Sequence, residues 1–277
     1  MMNIIKKRIN TKLIIQIHLI FAIIIKKFKG KSVEKRENLW DEKAKNYDKF
    51  SGNLSEFQIK FFEILSKFGV EFKDKTLVDI GCGTGIYSLH LAKICKFVLG
   101  VDSSRQMLNE LENSAKTANI TNIKTILSDF ENFKSEDKFD IAFLTMSPAL
   151  KSQNDFEKFA NLANLRIFMN WEKPRNSTLL TPFFEKFGTK DRDTKTNSTT
   201  NLINFLKNKN IPFKSEILSQ NRILRRSFDD AFENVLWHLK INNFSYNTDE
   251  IKKMLKLKLK NGFFQDEVEI CVRIILF

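Results

Sequence analysis

The chain has 277 residues, 42% of them hydrophobic, which is enough to bury the core of a full domain. Its three cysteines, Cys82, Cys95 and Cys271, form no CxxC pair and its three histidines are scattered, so we expect neither disulfides nor a metal site. Of the net charge of +13, residues 1–36 carry +9, and the near-neutral remainder argues against nucleic acid as a partner.

The first 36 residues contain an apolar run, Leu13–Ile25, with lysines on both sides. The run is too short for a spanning helix, which needs about 20 apolar residues. Lysines also follow it where a signal peptide has small residues. Three interpretations stay open: a peripheral anchor on anionic lipid, an arm or a translation start assigned too far upstream, and a signal peptide. We expect a cytoplasmic protein, with membrane association through residues 1–36 as the alternative.

A helix is predicted over residues 53–69, with Asn53 as its N-cap and Gly69 as its stop, because apolar side chains recur there at helical spacing. Short apolar runs then alternate with helical patterns. The predicted strands are Thr76–Ile80, Phe97–Val101, Ile123–Leu127, Phe139–Thr145 and Leu165–Trp171. The predicted helices between them are Gly85–Ile94, Ser104–Ala118 and Asn154–Ala163. Unbroken apolar strands that alternate with helices predict an α/β fold, a doubly wound and mostly parallel sheet with helices on both faces.

The pattern loosens after Trp171. Helices are predicted near residues 179–187 and 201–207, and two late strands at Phe213–Leu218 and Glu267–Phe277 bring the sheet to seven strands. Residues 219–262, between those strands, have helical spacing and are predicted to form an insertion or lid. We therefore expect one domain over residues 37–277.

The stretch "LVDIGCGTGIYSL", residues 77–89, places three alternating glycines directly after the first predicted strand. Glycines there let a ligand approach the backbone amides at the carboxyl end of a parallel strand. The spacing is G-x-G-x-G, whereas the dinucleotide fingerprint is G-x-G-x-x-G. No GK[ST] follows, which excludes a Walker-type phosphate loop.

Three successive strands each end near an aspartate: Asp79, Asp102 and Asp129. A carboxylate at Asp102, 21 residues after Gly81, could accept both hydroxyls of a ribose. Asp129 could accept from an exocyclic amine, and the ring of Phe130 could face a purine. The alternatives are a loop cap for Asp79, a helix cap for Asp102, a turn for Asp129 and a core position for Phe130.

Four stretches, "VDIGCGTG", "GVDSSRQML", "LSDFENF" and "FDIAFLTMSPAL", resemble the motifs of class I S-adenosylmethionine-dependent methyltransferases. The resemblance covers residues 39–171. It implies S-adenosyl-L-methionine as the cofactor, with the methionine end at Asp79 and the glycine loop, the ribose at Asp102 and the adenine at Asp129. The cofactor-binding residues that it implies are Tyr47, Asp79, Gly81, Cys82, Gly83, Gly85, Asp102, Ser103, Met107, Asp129 and Phe130.

Methyl transfer depends mainly on positioning, so the absence of an evident catalytic dyad does not exclude an enzyme. Family members that methylate adenine or glutamine carry Asn/Asp-Pro-Pro-Tyr/Phe after the fourth strand, whereas "TMSPA" keeps only Pro148. We therefore expect a small-molecule acceptor. An RNA or protein methyltransferase and a non-catalytic cofactor-binding protein stay as alternatives. Weak catalytic candidates are Thr145, Ser147 and His238.

Overall fold

The computed structural model describes residues 39–188, 197–259 and 262–277. The apolar run of the N-terminal extension lies outside the described residues. Within the described ranges, no helix is long and apolar enough to cross a membrane.

The described chain alternates strands and helices. The strands are β1 (Thr76–Ile80), β2 (Phe97–Asp102), β3 (Ile123–Leu127), β4 (Phe139–Thr145), β5 (Ala163–Trp171), β6 (Asn176–Ser177), β7 (Lys214–Arg226) and β8 (Phe264–Leu276). The helices are α1 (39–44), α2 (Glu56–Lys67), α3 (Ser88–Ala92), α4 (Arg105–Thr117), α5 (Gln153–Asn161), α6 (Thr181–Phe187), α7 (Ser198–Asn208), α8 (Phe228–Ile241) and α9 (Thr248–Lys258). The predicted bounds of β1, β3 and β4 are confirmed.

All strands belong to one sheet, in which β3, β2, β1, β4 and β5 lie side by side and are parallel. Strand β8 is antiparallel to its neighbours. It pairs with β5 and β6 and, along its whole length, with β7. Since a strand has two edges, β5 and β6 share one edge of β8 and β7 takes the other. The sheet has eight strands rather than the predicted seven because the two-residue β6 adds one.

Strand β7 is longer than predicted and runs to Arg226, so the first eight residues of the predicted helical insertion are strand. These eight residues alternate between exposed and partly buried, and five of them have basic or amide side chains, which hides the strand from a search for apolar runs. Only α8 and α9 form the helical insertion.

Helix α2 begins after Ser55 rather than at the predicted cap Asn53. The Ser55 hydroxyl accepts the backbone N–H of Gln58, and the Gln58 side chain accepts the backbone N–H of Ser55, a reciprocal capping box. The predicted stop is confirmed: Gly69 adopts φ +86°, which favours glycine.

Helices cover both faces of the sheet, as predicted. Helix α2 packs over one face through Phe57, Phe61 and Leu65, against a cluster that extends across the sheet to β8. Helices α5 and α7 pack over the other face. Helices α6, α8 and α9 form a third apolar cluster beside the end of β8. The α2 face carries the residues of the candidate site.

Candidate functional site

The glycine loop that follows β1 is tied to the end of β2. The backbone N–H groups of Gly81 and Cys82 both donate to the Val101 carbonyl, at 2.7 and 3.2 Å. All three glycines, at 81, 83 and 85, have positive φ angles of 71°, 55° and 79°. The loop therefore requires glycine for its backbone conformation as well as for the space around it.

The three glycines have different surroundings. A Cβ at Gly83 would meet no atom within 4 Å, so this backbone is open to a ligand. A Cβ at Gly81 would lie 2.0 Å from Ser147 Oγ, and one at Gly85 would lie 2.6 Å from Leu111 Cγ. The interpretation that all three positions are cleared for a ligand is therefore wrong in part: Gly81 makes room for Ser147, and Gly85 lets α4 pack against the loop.

Two residues predicted to bind the cofactor have buried side chains. Cys82 Sγ packs against β2, 2.9 Å from the position of a Cβ on Gly100, and burial raises the pKa of its thiol well above the usual value. Met107 is 2% exposed. Contact through either side chain is contradicted by this packing, which leaves their backbone atoms for a ligand.

The Asp102 carboxylate joins the glycine loop to the start of α4. Its Oδ2 accepts the N–H of Gly83 and its Oδ1 accepts the N–H of Ser104, both at 2.9 Å. Ser104 is the helix cap, since its hydroxyl accepts the Met107 N–H, whereas Ser103 lies in the connecting turn. Burial raises the pKa of Asp102, and the backbone hydrogen bonds oppose that rise. Each carboxylate oxygen keeps a second lone pair, so two ribose hydroxyls fit here.

Asp79, the penultimate residue of β1, is 2% exposed. Its Oδ2 accepts the hydroxyl proton of Ser88, and its Oδ1 is buried without a partner among the described residues. Burial raises the pKa of Asp79 to about 7. A buried carboxylate oxygen without a donor is costly, typically by about 1–3 kcal/mol or more for a charged group. The site therefore suits a ligand that brings an ammonium group to Asp79.

Asp129 closes a turn with Asn132, three residues later. Its two carboxylate oxygens accept the backbone N–H of Asn132 at 2.7 Å and the Asn132 side-chain N–H at 3.0 Å. Phe130 is 4% exposed and packs against Phe159, with Lys158 Nζ 4.6 Å from its ring. The ring of Phe130 is thus a core side chain, and its use as a purine-facing wall is wrong. Adenine recognition by the backbone at this turn stays a prediction.

The end of β4 lies beside the glycine loop. Thr145 is its last residue, Met146 has a φ of +53°, and Ser147 is 7% exposed and packed against Gly81. The Ser147 carbonyl accepts a hydrogen bond from Asn170 Nδ2 at 2.9 Å. Sequence reasoning missed Asn170, although an amide inside the apolar strand "RIFMNW" was a usable signal.

The third catalytic candidate, His238, lies in α8. Its ring packs against Trp237, with centroids 4.9 Å apart, and against Phe184, with centroids 6.0 Å apart. These contacts place His238 in the aromatic layer of the insertion, which favours the packing interpretation over a general base.

The N-terminal helix α1 and the residues after it contact the cofactor side of the site. Asp41 accepts the Ser104 hydroxyl proton and the Gln106 N–H at the start of α4. The Thr84 hydroxyl, in the glycine loop, donates to the Asp48 carbonyl. These bonds hold the segment over the strand ends.

The same helix contacts the insertion. Trp237 Nε1 of α8 donates to the Leu39 carbonyl at 2.8 Å, and Lys43 Nζ donates to Asn234 Oδ1 at 3.3 Å. The Trp40 and Trp237 rings pack edge to face with centroids 4.9 Å apart. Helix α1 therefore bridges α4 and α8 over the carboxyl ends of the strands.

Tyr47 lies beneath this bridge. Its ring packs edge to face against Trp40 with centroids 6.3 Å apart. Burial raises the pKa of the phenol, and the carboxylates of Asp48 and Asp102 add to that rise. The next residue, Asp48, accepts the Thr84 hydroxyl of the glycine loop, so Tyr47 adjoins the loop, and its role in covering the cofactor stays a prediction.

These features fit the sulfonium cofactor that the motifs imply. Gly83 offers an open backbone, the unpartnered Asp79 oxygen suits an ammonium group, and Asp102 suits a pair of hydroxyls. Asp79 and Asp102 also repel each other when both are ionised, since the charge of Asp102 adds to the rise in the pKa of Asp79. A cation between the two carboxylates would relieve that repulsion.

Residues 77–165 match the family described as "Methyltransferase domain". The chain carries a class I S-adenosylmethionine-dependent methyltransferase domain. S-adenosylmethionine is the cofactor of this family. Because β1 to the start of β5 lie within the match, it covers the glycine loop, Asp102 and the end of β4.

Curated relatives also match only part of the chain. The chain is 31% identical over 106 residues to (S)-coclaurine N-methyltransferase of Papaver somniferum, which is 37% of this chain and 30% of that protein. It is 29% identical over 124 residues to a protein of Methanococcus maripaludis named as a cobalt-precorrin-6B C(15)-methyltransferase (decarboxylating), 45% of this chain and 67% of that one. The chain thus spans less than a third of the first relative's length.

The crystal structure of a candidate methyltransferase from Bacillus halodurans superposes with a TM-score of 0.51. The match covers 80% of this chain and 98% of that chain, at 13% sequence identity. This likeness confirms the Rossmann-like methyltransferase fold, including the part of the sheet beyond the family match.

Proposed function

We propose that this methyltransferase transfers a methyl group to a small-molecule acceptor. The observation that supports the proposal most is the bridge that α1 forms between α4 and α8, through Asp41 at one end and Leu39 at the other. A covered site suits a ligand that can be enclosed, whereas RNA or a protein surface needs an open platform.

S-adenosylmethionine, when bound, supplies a sulfonium methyl group that an in-line nucleophile can take. The task of the chain is to hold the reactants in line and to exclude water, which can supply roughly 7–11 kcal/mol of the barrier. Asp79 would bind the ammonium group and Asp102 the ribose. Thr145 and Ser147 lie at the adjoining strand end and could hydrogen-bond an acceptor there.

The names of the two relatives support a small acceptor, since coclaurine and cobalt-precorrin-6B are small molecules. Those names describe the relatives, and less than half of this chain aligns with either of them. The near-neutral charge of the chain after residue 36 also gives an RNA phosphate backbone little to bind.

The proposal can be tested with methyl-labelled S-adenosylmethionine and a cell extract separated into RNA, protein and low-mass fractions. We expect the full-length chain to label the low-mass fraction, and the Asp102→Ala variant to lose that labelling. Label in the RNA or protein fraction would support the corresponding alternative. Cofactor binding in calorimetry with no labelling of any fraction would support a non-catalytic cofactor-binding protein.

A further inference from the structure

Three arginines lie close to β8, beyond β5. On β7, Arg222 and Arg226 are opposite Val268 and Phe264 of β8, so their side chains share the face of those two buried residues. Ser177 of β6 is also opposite Val268, and Arg175 lies two residues before Ser177, just outside the strand, with its Nε buried.

A fourth cation, Lys43, lies on helix α1, which bridges α4 and α8. Lys43 of α1 donates to Asn234 Oδ1, and its Nζ lies 5.0 Å from the centre of the Trp237 ring. Burial lowers the pKa of Lys43, and the charges of Arg226 and Arg175 lower it further. We call Lys43, Arg175, Arg222 and Arg226 the cationic cluster.

One buried carboxylate serves this cluster. Asp266 is 0% exposed, and its Oδ2 accepts from Arg226 Nε at 3.3 Å. Its Oδ1 is already occupied by the Ser177 hydroxyl at 2.6 Å and the Leu179 N–H at 3.1 Å. The other acids whose charges reach the cluster are Asp48 and Glu233, beside Lys43, and Glu56, beside Arg222, and all three are exposed. Among the described residues, Asp266 therefore accepts a hydrogen bond from one of the four cations, Arg226, and its other donors are neutral.

Two of the arginines keep donors without acceptors. Among the described residues, the buried Nε–H of Arg175 has no hydrogen-bond partner. Arg222 donates from Nε to Gln220 Oε1 at 2.6 Å and lies 5.4 Å from the Phe57 ring, and no described acceptor meets its two terminal nitrogens. Burial lowers the pKa of Arg175, and the neighbouring Arg226 and Arg222 add to this effect. The buried, unpaired donor of Arg175 beside like charges is costly without an anion, whereas Arg222 is half-buried and leaves its terminal nitrogens available to a ligand.

The cluster adjoins the cofactor site. Arg222 lies 5.4 Å from the centre of the Phe57 ring, and Phe57 belongs to the same buried apolar cluster as Tyr87. Tyr87 packs against Phe143 of β4, two residues before Thr145, with centroids 5.9 Å apart. An anion in the cluster would therefore lie on the face of the sheet that carries Phe143 and, by strand alternation, Thr145.

We propose that the acceptor of this methyltransferase is an anion, whose carboxylate or phosphate group is held by Arg175 and Arg222 with Arg226 and Lys43 around it. The inference rests on the proposed function and specifies its substrate class. Arginine forks match the geometry of both anions. An anionic acceptor would also neutralise cations that otherwise face a sulfonium cofactor.

Inorganic phosphate and acetate, titrated separately onto the full-length chain by calorimetry, test the proposal without any turnover. We expect saturable binding of at least one anion, weakened tenfold or more in Arg222→Gln and in Arg175→Gln. The matched control is Arg225→Gln, because Arg225 is on the same strand but exposed on the opposite face, over Phe263. It should change affinity less than twofold. Phosphate and acetate distinguish the two chemistries.

The carboxylate of the cofactor itself is the competing occupant. Repeating the titration with saturating S-adenosylhomocysteine separates the two: an unchanged anion affinity supports an acceptor subsite, whereas competition would overturn it. Equal effects of the Arg222 and Arg225 variants, or no saturable binding to a chain that melts normally, would also overturn it. Failure to bind S-adenosylhomocysteine would instead contradict the proposed function, and the anion titration alone would still be readable.

Discussion

The Asp102 carboxylate accepts the N–H of Gly83 at 2.9 Å, so the acid that closes β2 and the open glycine of the loop after β1 form one surface. The two positions are 19 residues apart in sequence and come together because β1 and β2 are adjacent parallel strands. Their contact would allow one adenosyl group to touch both.

We expect Asp102→Ala to weaken S-adenosylhomocysteine binding tenfold or more, because charge-assisted hydrogen bonds are worth about 1.5–3 kcal/mol. Calorimetry provides the measurement. Glu110→Gln is the matched control, since Glu110 lies on the adjoining helix and pairs with Lys49 at 2.8 Å. Equal affinities for Asp102→Ala and the unmodified chain would remove Asp102 from the cofactor site.

Asp79 should make cofactor affinity depend on pH. Its pKa of about 7 means that the free site holds a proton below neutrality, whereas the ammonium group of the cofactor favours the ionised form. Affinity for S-adenosylhomocysteine should therefore rise about tenfold between pH 6 and pH 8, at up to tenfold per pH unit below the pKa. Asp79→Asn should remove this dependence, and a parallel pH profile in that variant would contradict the assignment.

Asp79 should also make the stability of the free chain depend on pH, but stability should fall as pH rises, whereas cofactor affinity should rise. The folded pKa of about 7 exceeds the unfolded value near 3.8, so the folded state binds more protons between those values and the free energy of unfolding falls as pH rises through this window. Chemical denaturation at pH 5 and pH 7 should show a larger loss in the unmodified chain than in Asp79→Asn. Similar losses in both proteins would indicate that Asp79 is ionised throughout.

The second and third glycines of the loop, Gly83 and Gly85, should respond differently to substitution by alanine. Gly85→Ala places a methyl group 2.6 Å from Leu111 Cγ, which should cost about 1–3 kcal/mol in overpacking in addition to the strain of its positive φ. Gly83→Ala meets no atom within 4 Å and carries only the backbone strain. We expect Gly85→Ala to lower the melting temperature more than Gly83→Ala does. Relative to its loss of melting temperature, Gly83→Ala should weaken cofactor binding more than Gly85→Ala does. The reverse order would mean that Gly83 does not face the ligand.

Removing residues 1–36 should leave cofactor affinity unchanged. Among the described residues, the contacts that α1 makes over the site begin at the Leu39 carbonyl, and all candidate site residues follow it. Partition of the full-length and shortened chains between buffer and anionic vesicles would decide on the anchor. Retention of vesicle binding by the shortened chain would rule out an anchor in the deleted segment. A loss of cofactor affinity would show that the extension supports the site.

Sequence reasoning succeeded where one local signal dominated. Strands β1, β3 and β4 are short apolar runs, and the glycines at 81, 83 and 85 have the positive φ angles that their loop requires. It failed where partners are distant in sequence. The contact of Gly85 with Leu111, the buried ring of Phe130 and the bridge from Leu39 to Trp237 all depend on packing between elements. Arg222 and Arg226 were missed because a polar alternating strand resembles neither an apolar run nor a helix.

The bridging position of α1 has a consequence for how the two ligands influence each other. If α1 moves aside to admit a ligand and returns when one ligand is bound, its contacts with α4 and α8 must break and form again. Whichever ligand arrives first then bears the cost of ordering the helix, and the second binds with part of that cost already met. By thermodynamic reciprocity, donor and acceptor would raise each other's affinity by the same factor.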